Sequence, residues 1–165
     1  MRLVLFQPDI PQNTGTMIRL AACLGIAVDI VEPAGFDVSD RNFRRSGMDY
    51  LDRVEIIRHP SWRAFHDWSR MKAHRLVLAT VRGSVPYTEF AFAENDAIIM
   101  GRESAGAPDY VHEACEARIR IPLAAGTRSL NVAVCAGMML GEALRQSGGF
   151  PSACGFPGED AAPAE

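Results

Sequence analysis

Short apolar runs alternate with segments of helical periodicity along most of the chain. The apolar runs predict six strands, at residues 2–6, 27–31, 54–57, 76–80, 97–100 and 118–121. Most of these runs are continuously apolar, which is typical of parallel strands buried on both faces. The segments between them predict helices at residues 14–24, 39–45, 62–70, 108–114 and 130–146.

Alternating strands and helices indicate βαβ crossovers, because parallel neighbours need a connection that returns over one face of the sheet. We therefore predict an α/β fold with a mainly parallel sheet and helices on both faces. Gly25 and Gly148 stand where the first and last helices should end. The predicted domain spans residues 1–147, and residues 148–165, rich in Gly, Pro, Ala and acid, predict a flexible tail.

The length and composition of the chain limit the kinds of protein that it can be. Its 165 residues suit one domain of ordinary size, and 48% of them are hydrophobic. No apolar run reaches the roughly 18 residues that span a bilayer. The first run is short and is followed by proline and polar residues, so it predicts a strand rather than a signal peptide. We expect a cytoplasmic protein that enters no membrane.

The charge of the chain is unevenly distributed. Residues 41–75 hold nine bases and four acids, a local excess of five positive charges. The whole chain, in contrast, has 17 Lys and Arg against 20 Asp and Glu. A basic stretch in such a protein suits an anionic partner such as RNA. A solvated arginine-rich face gives the same pattern, and charge alone leaves both interpretations open.

Several common nucleotide and metal motifs are absent from the sequence. No two glycines are spaced as GxG, so there is no GxGxxG fingerprint. Gly101 and Gly106 have Walker spacing but lack the Lys-Ser/Thr that completes that loop. The four cysteines form no CxxC pair and have no His at metal-ligand spacing. We expect neither a disulfide framework nor a metal site.

Three polar, glycine-bearing stretches lie at the ends of predicted strands: residues 11–19 (PQNTGTMIR), 100–108 (MGRESAGAP) and 121–131 (IPLAAGTRSLN). Ligands of open α/β sheets bind at the carboxyl ends of strands, so these stretches can form one site. Each also has a purely structural interpretation: Asn13 or Thr14 as a cap of the first helix, a turn at Gly106, and Ser129 as a cap of the last helix. The residues alone predict a ligand site of three loops and leave the ligand open.

The same three stretches resemble, in order, the three motifs of the SPOUT methyltransferases, a knotted class that includes SpoU-type enzymes and methylates RNA with S-adenosylmethionine. The matching residues, in motif order, are Asn13 and Arg19, then Gly101 and Glu103, then Ile121, Ser129 and Asn131. The likeness covers about residues 1–147. It is strongest to the short tRNA (cytidine/uridine) 2'-O-methyltransferases that modify the wobble nucleotide, nucleotide 34.

This resemblance implies a deep trefoil knot in the C-terminal part of the domain, where the second and third motifs thread through one another, and a homodimer. It implies transfer of a methyl group from S-adenosylmethionine, without a metal, to the ribose 2'-hydroxyl of nucleotide 34 of tRNA. Cofactor contacts carried over by position are Ala79, Gly101, Ile121 and Ser129. The expected contacts with RNA phosphates are Arg41, Arg44 and Arg45.

Catalytic roles are expected for Asn13, Arg19, Glu103, Ser129 and Asn131. In the family, the position of Arg19 is the usual candidate for accepting the hydroxyl proton. A guanidinium keeps its proton, with a pKa above about 12, so orientation of the ribose or of a phosphate by Arg19 is an equal alternative. Asn13 is expected to hold Arg19 or the ribose, and Glu103 to pair with Arg19 or another loop donor. Ser129 and Asn131 are expected to fix the substrate and to shape the cofactor loop.

Two positions depart from the family pattern. Arg102 stands where the family often has proline, and Gly141 stands where close relatives carry a tyrosine linked to activity. Small residues of the last helix, Gly141 among them, allow close packing either in the core or against a second subunit. Three other functions stay open: methylation of another tRNA position or of ribosomal RNA, a knotted RNA-binding module without activity, and a flavodoxin-like binding domain. The last leaves Glu103 and Ser129-Leu130-Asn131 unexplained.

Overall fold

The computed structural model describes residues 1–36, 50 and 53–152. Within these ranges the chain forms seven strands and four helices. In chain order they are β1 (Arg2–Phe6), α1 (Pro11–Leu24), β2 (Ala27–Val31), β3 (Ile56–His59), α2 (Trp62–Met71), β4 (Arg75–Ala79), β5 (Val85–Pro86), β6 (Asp96–Met100), α3 (Asp109–Ala114), β7 (Ala117–Arg120) and α4 (Val132–Ser147). The helix predicted at residues 39–45 lies outside the described residues.

The seven strands form one sheet in the order β3-β2-β1-β6-β4-β7-β5. Every pairing in this sheet is parallel. The predicted α/β class with a mainly parallel sheet is therefore confirmed. Because all strands run in the same direction, their carboxyl ends lie along one edge of the sheet, where the predicted loops emerge.

Helices cover both faces of the sheet, as predicted. Successive residues of β1 alternate between the faces. Leu3 and Leu5 pack in a cluster with side chains of α1 and α4, whereas Val4 and Phe6 pack in a second cluster with side chains of α2 and α3. All four β1 side chains are almost inaccessible to solvent. Burial on both faces explains why the strands are continuously apolar.

The ends of the two long helices differ in part from the sequence predictions. Helix α1 begins at Pro11, three residues earlier than predicted, and neither Asn13 nor Thr14 caps it, because its N-cap is Ile10 with no side-chain hydrogen bond. Helix α4 is capped by Asn131 rather than by Ser129. The predicted stops are confirmed: Gly25 and Gly148 follow α1 and α4 in the left-handed region, with φ of 67° and 65°.

Three buried polar side chains, one from each strand, connect β1, β2 and β3. Arg2 Nε donates to Asp29 Oδ2 at 2.5 Å, and His59 Nε2 lies 2.8 Å from Asp29 Oδ1. Asp29 is fully buried, and the Arg2 guanidinium carbon lies 5.0 Å from the centre of the Trp68 ring. This network fixes β1, β2 and β3 relative to one another. In the part of the chain that the structure describes, no helix is long and apolar enough to cross a membrane.

Candidate functional site

A cavity of about 500 Å³ opens at the carboxyl ends of β4, β6 and β7, a size typical of small-molecule sites. Its lining comes from the start of α1, from residues 79–81 after β4, from the loop after β6 and from the loop after β7. Cys135 and Met139 of α4 complete the wall. All three stretches that the sequence analysis brought together therefore contribute to one cavity.

Of the eight residues predicted to act in catalysis or cofactor binding, seven line this cavity. They are Asn13, Ala79, Gly101, Glu103, Ile121, Ser129 and Asn131. Arg19 is the exception, because it is an exposed residue of α1 that does not line the cavity. Its guanidinium carbon lies 4.9 Å from the centre of the Tyr50 ring, within cation–π distance. The phosphate contacts expected at Arg41, Arg44 and Arg45 lie outside the described residues.

Asn131 joins the start of α4 to the first turn of α1. Its Oδ1 accepts hydrogen bonds from the backbone N–H groups of Ala133 and Val134, at 2.8 and 3.4 Å, and so caps α4. Because the cap uses the oxygen, the amide nitrogen of Asn131 points the other way, and it donates to Asn13 Oδ1 at 3.0 Å. Within the described residues, the Asn13 side chain thus contacts Asn131, and it also lies near enough to Glu103 to lower the pKa of that carboxyl. The expected contact with Arg19 is not among these.

Glu103 pairs with the loop after β1 rather than with Arg19. The backbone N–H of Asp9 donates to Glu103 Oε2 at 3.2 Å, and the backbone N–H of Glu103 donates to Asp9 Oδ1 at 3.1 Å. The Ser104 hydroxyl donates to the second oxygen of Asp9. Glu103 was expected to pair either with Arg19 or with another loop donor. The structure shows the second, since the donor is the backbone N–H of Asp9.

The two carboxyl groups of this pair have opposite pKa shifts. The neighbouring Glu103 carboxyl, the Ser104 hydroxyl and the backbone N–H groups of residues 103 and 104 lower the pKa of Asp9 to about 2, against a smaller opposing effect of burial. Burial raises the pKa of Glu103, and the side-chain hydrogen bond with Asp9 raises it further, against smaller lowering effects of the backbone N–H groups and of the Asn13 side chain. On acidification, Glu103 is therefore the first of the two to take up a proton.

The loop after β6 owes its shape to two glycines. Arg102 and Gly106 exchange two backbone hydrogen bonds, at 3.0 and 2.8 Å, which close the loop on itself. Gly106 has a φ of +67°, in the left-handed region. A Cβ on Gly101 would lie 2.8 Å from the backbone carbonyl carbon of Gly106, so any side chain at position 101 would force the loop open.

Arg102, which replaces the frequent proline of the family, places a cation beside the cavity. Its side chain is about one-third exposed, at 37%, and lines the cavity. One terminal nitrogen donates to Gln7 Oε1 at 3.5 Å, and Nε lies 3.9 Å from Asp9 Oδ2. Within the described residues, that Nε is buried and has no hydrogen-bond partner. The site therefore has a positive charge next to the Asp9–Glu103 pair.

The sequence and fold place this chain in a known group of enzymes. The family model described as the SpoU rRNA Methylase family matches residues 1–141. The chain belongs to the SpoU methylase family. No group of three or more His, Cys, Asp or Glu side chains arranged to hold a metal ion occurs among the described residues.

Relatives within the SpoU methylase family match nearly the whole chain. A protein of Ancylobacter novellus named tRNA (cytidine(34)-2'-O)-methyltransferase is 59% identical over 150 residues, which cover 91% of this chain and 95% of the relative. A protein of the same name from Escherichia coli K12 is 35% identical over 155 residues, covering 93% and 97% of the two chains.

Solved structures of SpoU methylases share the fold. One, from a study of the methylation of the 2-OH of C/U34 on tRNA, superposes with a TM-score of 0.85 at 37% identity, covering 90% of this chain and 96% of its own. The SpoU methyltransferase AviRb of Streptomyces viridochromogenes, solved in complex with the cofactor AdoMet, has a TM-score of 0.81 at 30% identity and covers 89% and 60% of the two chains. The SPOUT resemblance stated from the motifs is confirmed.

Proposed function

We propose that this chain transfers the methyl group of S-adenosylmethionine to the ribose 2'-hydroxyl of cytidine or uridine 34 of tRNA. The observation that carries the proposal is the convergence of all three motif stretches on one cavity. The 59% identical relative named tRNA (cytidine(34)-2'-O)-methyltransferase supports the choice of substrate. Such a substrate places the activity in the cytoplasm.

The residues around the cavity suit S-adenosylmethionine. Met100, Ile121 and Met139 provide apolar walls for an adenosine and for methylene groups, while Ser129 and Asn131 add a few polar groups. The AviRb structure, which holds AdoMet, supports the same assignment. We assign cofactor contacts to the four positions carried over from the motifs, Ala79, Gly101, Ile121 and Ser129.

The reaction requires an aligned ribose and a path for one proton. A bound cofactor would supply an electrophilic methyl group on a sulfonium. The ribose 2'-oxygen would take this methyl group and release its proton to water. Asn13 and Asn131 hold the two sides of the cavity mouth together. Arg19 lies outside the cavity lining and exposed, so we assign it to orienting the ribose or a neighbouring phosphate rather than to accepting the proton.

A homodimer completes the proposal. On the surface near the cavity, the apolar side chains of Ile10, Leu130 and Val134 are 40%, 40% and 51% exposed. A Cβ on Gly141 of α4 would meet no atom of this chain within 4 Å, so the space beside it is open to a second copy. An exposed apolar face of this kind suits a subunit interface. Sedimentation equilibrium should give twice the mass of one chain.

The test of the proposed function is nucleoside mass spectrometry of tRNA. The purified protein, with S-adenosylmethionine, should add one methyl group to the ribose of nucleotide 34 in unmodified tRNA. The matched control is the same tRNA with a 2'-deoxynucleotide at position 34, which should gain no methyl group. Methylation at another nucleotide would favour an enzyme that acts on a different position of tRNA or on ribosomal RNA. Cofactor-independent RNA binding without methylation would favour a non-catalytic RNA-binding module.

A further inference from the structure

Asp9 occupies the point where three segments of the chain meet. It lies in the loop after β1, and its carboxylate accepts hydrogen bonds from Glu103 and Ser104 in the loop after β6. On its other side, the backbone N–H of Gly35 donates to the carbonyl oxygen of Pro8 at 2.8 Å. A Cβ on Gly35 would lie 2.9 Å from both Cα and Cβ of Asp9. Asp9 is thus held between the segment around Gly35 and the loop that carries Glu103.

The contact between Asp9 and Glu103 is reciprocal, which fixes orientation as well as distance. Each residue donates its backbone N–H to a carboxylate oxygen of the other, at 3.1 and 3.2 Å. Neither carboxylate can rotate without losing one of these hydrogen bonds. Glu103 Oε1 is buried and has no hydrogen-bond partner in the described part of the chain, so the orientation of the carboxyl depends on the contacts of Oε2, of the backbone and of the nearby Asn13 side chain.

Asp9 itself does not line the cavity, whereas Glu103 does. The side-chain contacts of Asp9 therefore connect it to the cavity through Glu103 and its loop, while its chain neighbour Ile10 also lines the cavity. A positive charge lies close to Asp9, because Arg102 Nε is 3.9 Å from its carboxylate. The negative charge of Asp9 is therefore partly balanced. A hydrogen bond to an ionised group is about twice as strong as one between neutral groups, which makes Asp9 a firm support.

We propose that Asp9 is a positioning residue of the methyltransferase site, which fixes the orientation of the Glu103 carboxyl at the cavity wall. This inference rests on the proposed function, since it assigns Glu103 a part in methyl transfer that requires its ionised form. The charged side chains that face Glu103 in the described residues are Asp9, from the loop after β1, and, through Asp9, Arg102 of its own loop.

Replacing Asp9 by Asn tests the proposal because it keeps the size of the side chain and removes its charge. Burial is the larger cause of the raised pKa of Glu103, and the side-chain hydrogen bond with Asp9 is the second. The pKa of Glu103 should therefore fall in D9N yet stay above its usual value. The acidic limb of the pH profile of kcat should move to lower pH. At neutral pH kcat should fall about 10- to 100-fold, the effect of one charge-assisted hydrogen bond, and cofactor affinity should fall less.

Two further variants separate positioning from folding. Asp9→Glu keeps the charge and should retain more activity than D9N, with the acidic limb where the wild type has it. Asp109→Asn is the matched control, because Asp109 pairs with Arg82 on the surface and its side chain is 80% exposed. It should change neither kcat nor the pH profile. If D9N proves unstable in thermal melting, Asp9→Glu tests the positioning role instead. The readouts are the pH of its acidic limb and the kcat that it retains.

The titration of Glu103 can also be followed without any activity. In protein labelled with carbon-13 at the glutamate carboxyls, the resonance assigned to Glu103 is the one that Glu103→Gln removes. Its pKa should be lower in D9N than in the wild type and unchanged in D109N. An unchanged Glu103 pKa in D9N, or a loss of kcat without movement of the acidic limb, overturns the proposal. Failure of the wild-type protein to methylate tRNA would instead overturn the proposed function and leave the NMR result standing.

Discussion

At the residue scale, Arg19 stands apart from the other predicted catalytic residues. It lies on the exposed side of α1 against the Tyr50 ring, while the other four predicted catalytic residues line the cavity. This separation makes it suited to hold the RNA rather than the cofactor. The role assigned to Arg19 can therefore be tested independently of cofactor binding.

We expect Arg19→Ala to lower methyl transfer by about 100-fold or more, because misplacement of the ribose by about 1 Å is enough for such a loss. Cofactor affinity and the melting temperature should stay near those of the wild type. Arg19→Lys should rescue poorly, since an ammonium lacks the planar fork that holds ribose and phosphate together and stacks on an aromatic ring. Single-turnover kinetics and calorimetry measure the two effects.

The control for Arg19 is Arg63→Ala, which removes an arginine of α2 whose side chain is 92% exposed. It should leave methyl transfer unchanged. If the Arg19 variant keeps near-wild-type turnover, or if it loses cofactor affinity in proportion to activity, the assigned role is wrong.

The sequence predicted the cavity residues well and missed Asp9, for a reason that lies in the sheet. Asp9 follows β1 and Glu103 follows β6, and these strands are neighbours in the sheet although they lie far apart in the chain. Periodicity predicts strands but not their order, so it cannot show which two loops meet. A carboxylate three residues after a buried strand, in the short loop that leads into the helix with Asn13, was the available signal.

At the scale of elements, the helices and strands were predicted where the pattern is long and regular. β1 and β2 match their predicted bounds, whereas β3 begins two residues later than predicted. β5 went unpredicted, because two residues that include a proline give no apolar run. The early start of α1 was missed because Asn13 and Thr14 resemble capping residues, while Pro11, a favoured first residue of a helix, in fact begins it.

The cap of α4 gives a prediction that separates stability from function. Asn131→Ala removes the acceptor for two backbone N–H groups and should lower the free energy of unfolding by about 1 kcal/mol. Asn131→Asp keeps a capping oxygen, so its stability in urea should match the wild type. Both variants lose the donor to Asn13, and both should lose methyl transfer. An Asn131→Asp protein with wild-type activity would show that the Asn13 contact is dispensable.

The charged network of β1, β2 and β3 should contribute strongly to stability. Asp29→Ala leaves the Arg2 charge buried without its main partner, so we expect a loss of about 3–5 kcal/mol in the free energy of unfolding, measured by urea denaturation. The exposed ion pair of Arg82 and Asp109 is the matched control, and Asp109→Ala should cost no more than about 1 kcal/mol. Equal losses in the two variants would contradict a special role for burial.

At the scale of the whole molecule, the class of the fold followed from the sequence, whereas its C-terminal topology required the resemblance. Buried parallel strands leave a clear apolar pattern, but a knot leaves none, because threading depends on the path of loops rather than on the character of residues. The trefoil knot and the boundary of the domain at residue 147 therefore stay predictions.

The spatial distribution of charge also differs from its count along the chain. Two bases of residues 41–75 pair with acids from outside that stretch: Arg58 Nε donates to Glu32 at 2.7 Å, and Arg75 Nε donates to Asp96 at 2.6 Å. The excess of positive charge counted along residues 41–75 is thus reduced in the folded protein, because acidic side chains from other segments lie next to two of its arginines. The expected RNA contacts Arg41, Arg44 and Arg45 lie outside the described residues.

We expect replacement of Arg41, Arg44 and Arg45 by alanine to weaken tRNA binding and to flatten its dependence on salt. Each phosphate contact releases counterions and contributes about 0.7–0.9 to the slope of log affinity against log salt, so three lost contacts should lower the slope by about 2–3. Cofactor affinity should not change, because the described lining of the cavity comes from other segments. The charge-matched control replaces Arg63, Arg70 and Lys72, all exposed, by alanine. Binding measured over a salt series decides the matter: a slope for the Arg41, Arg44 and Arg45 variant equal to that of the wild type would mean that RNA contacts another surface.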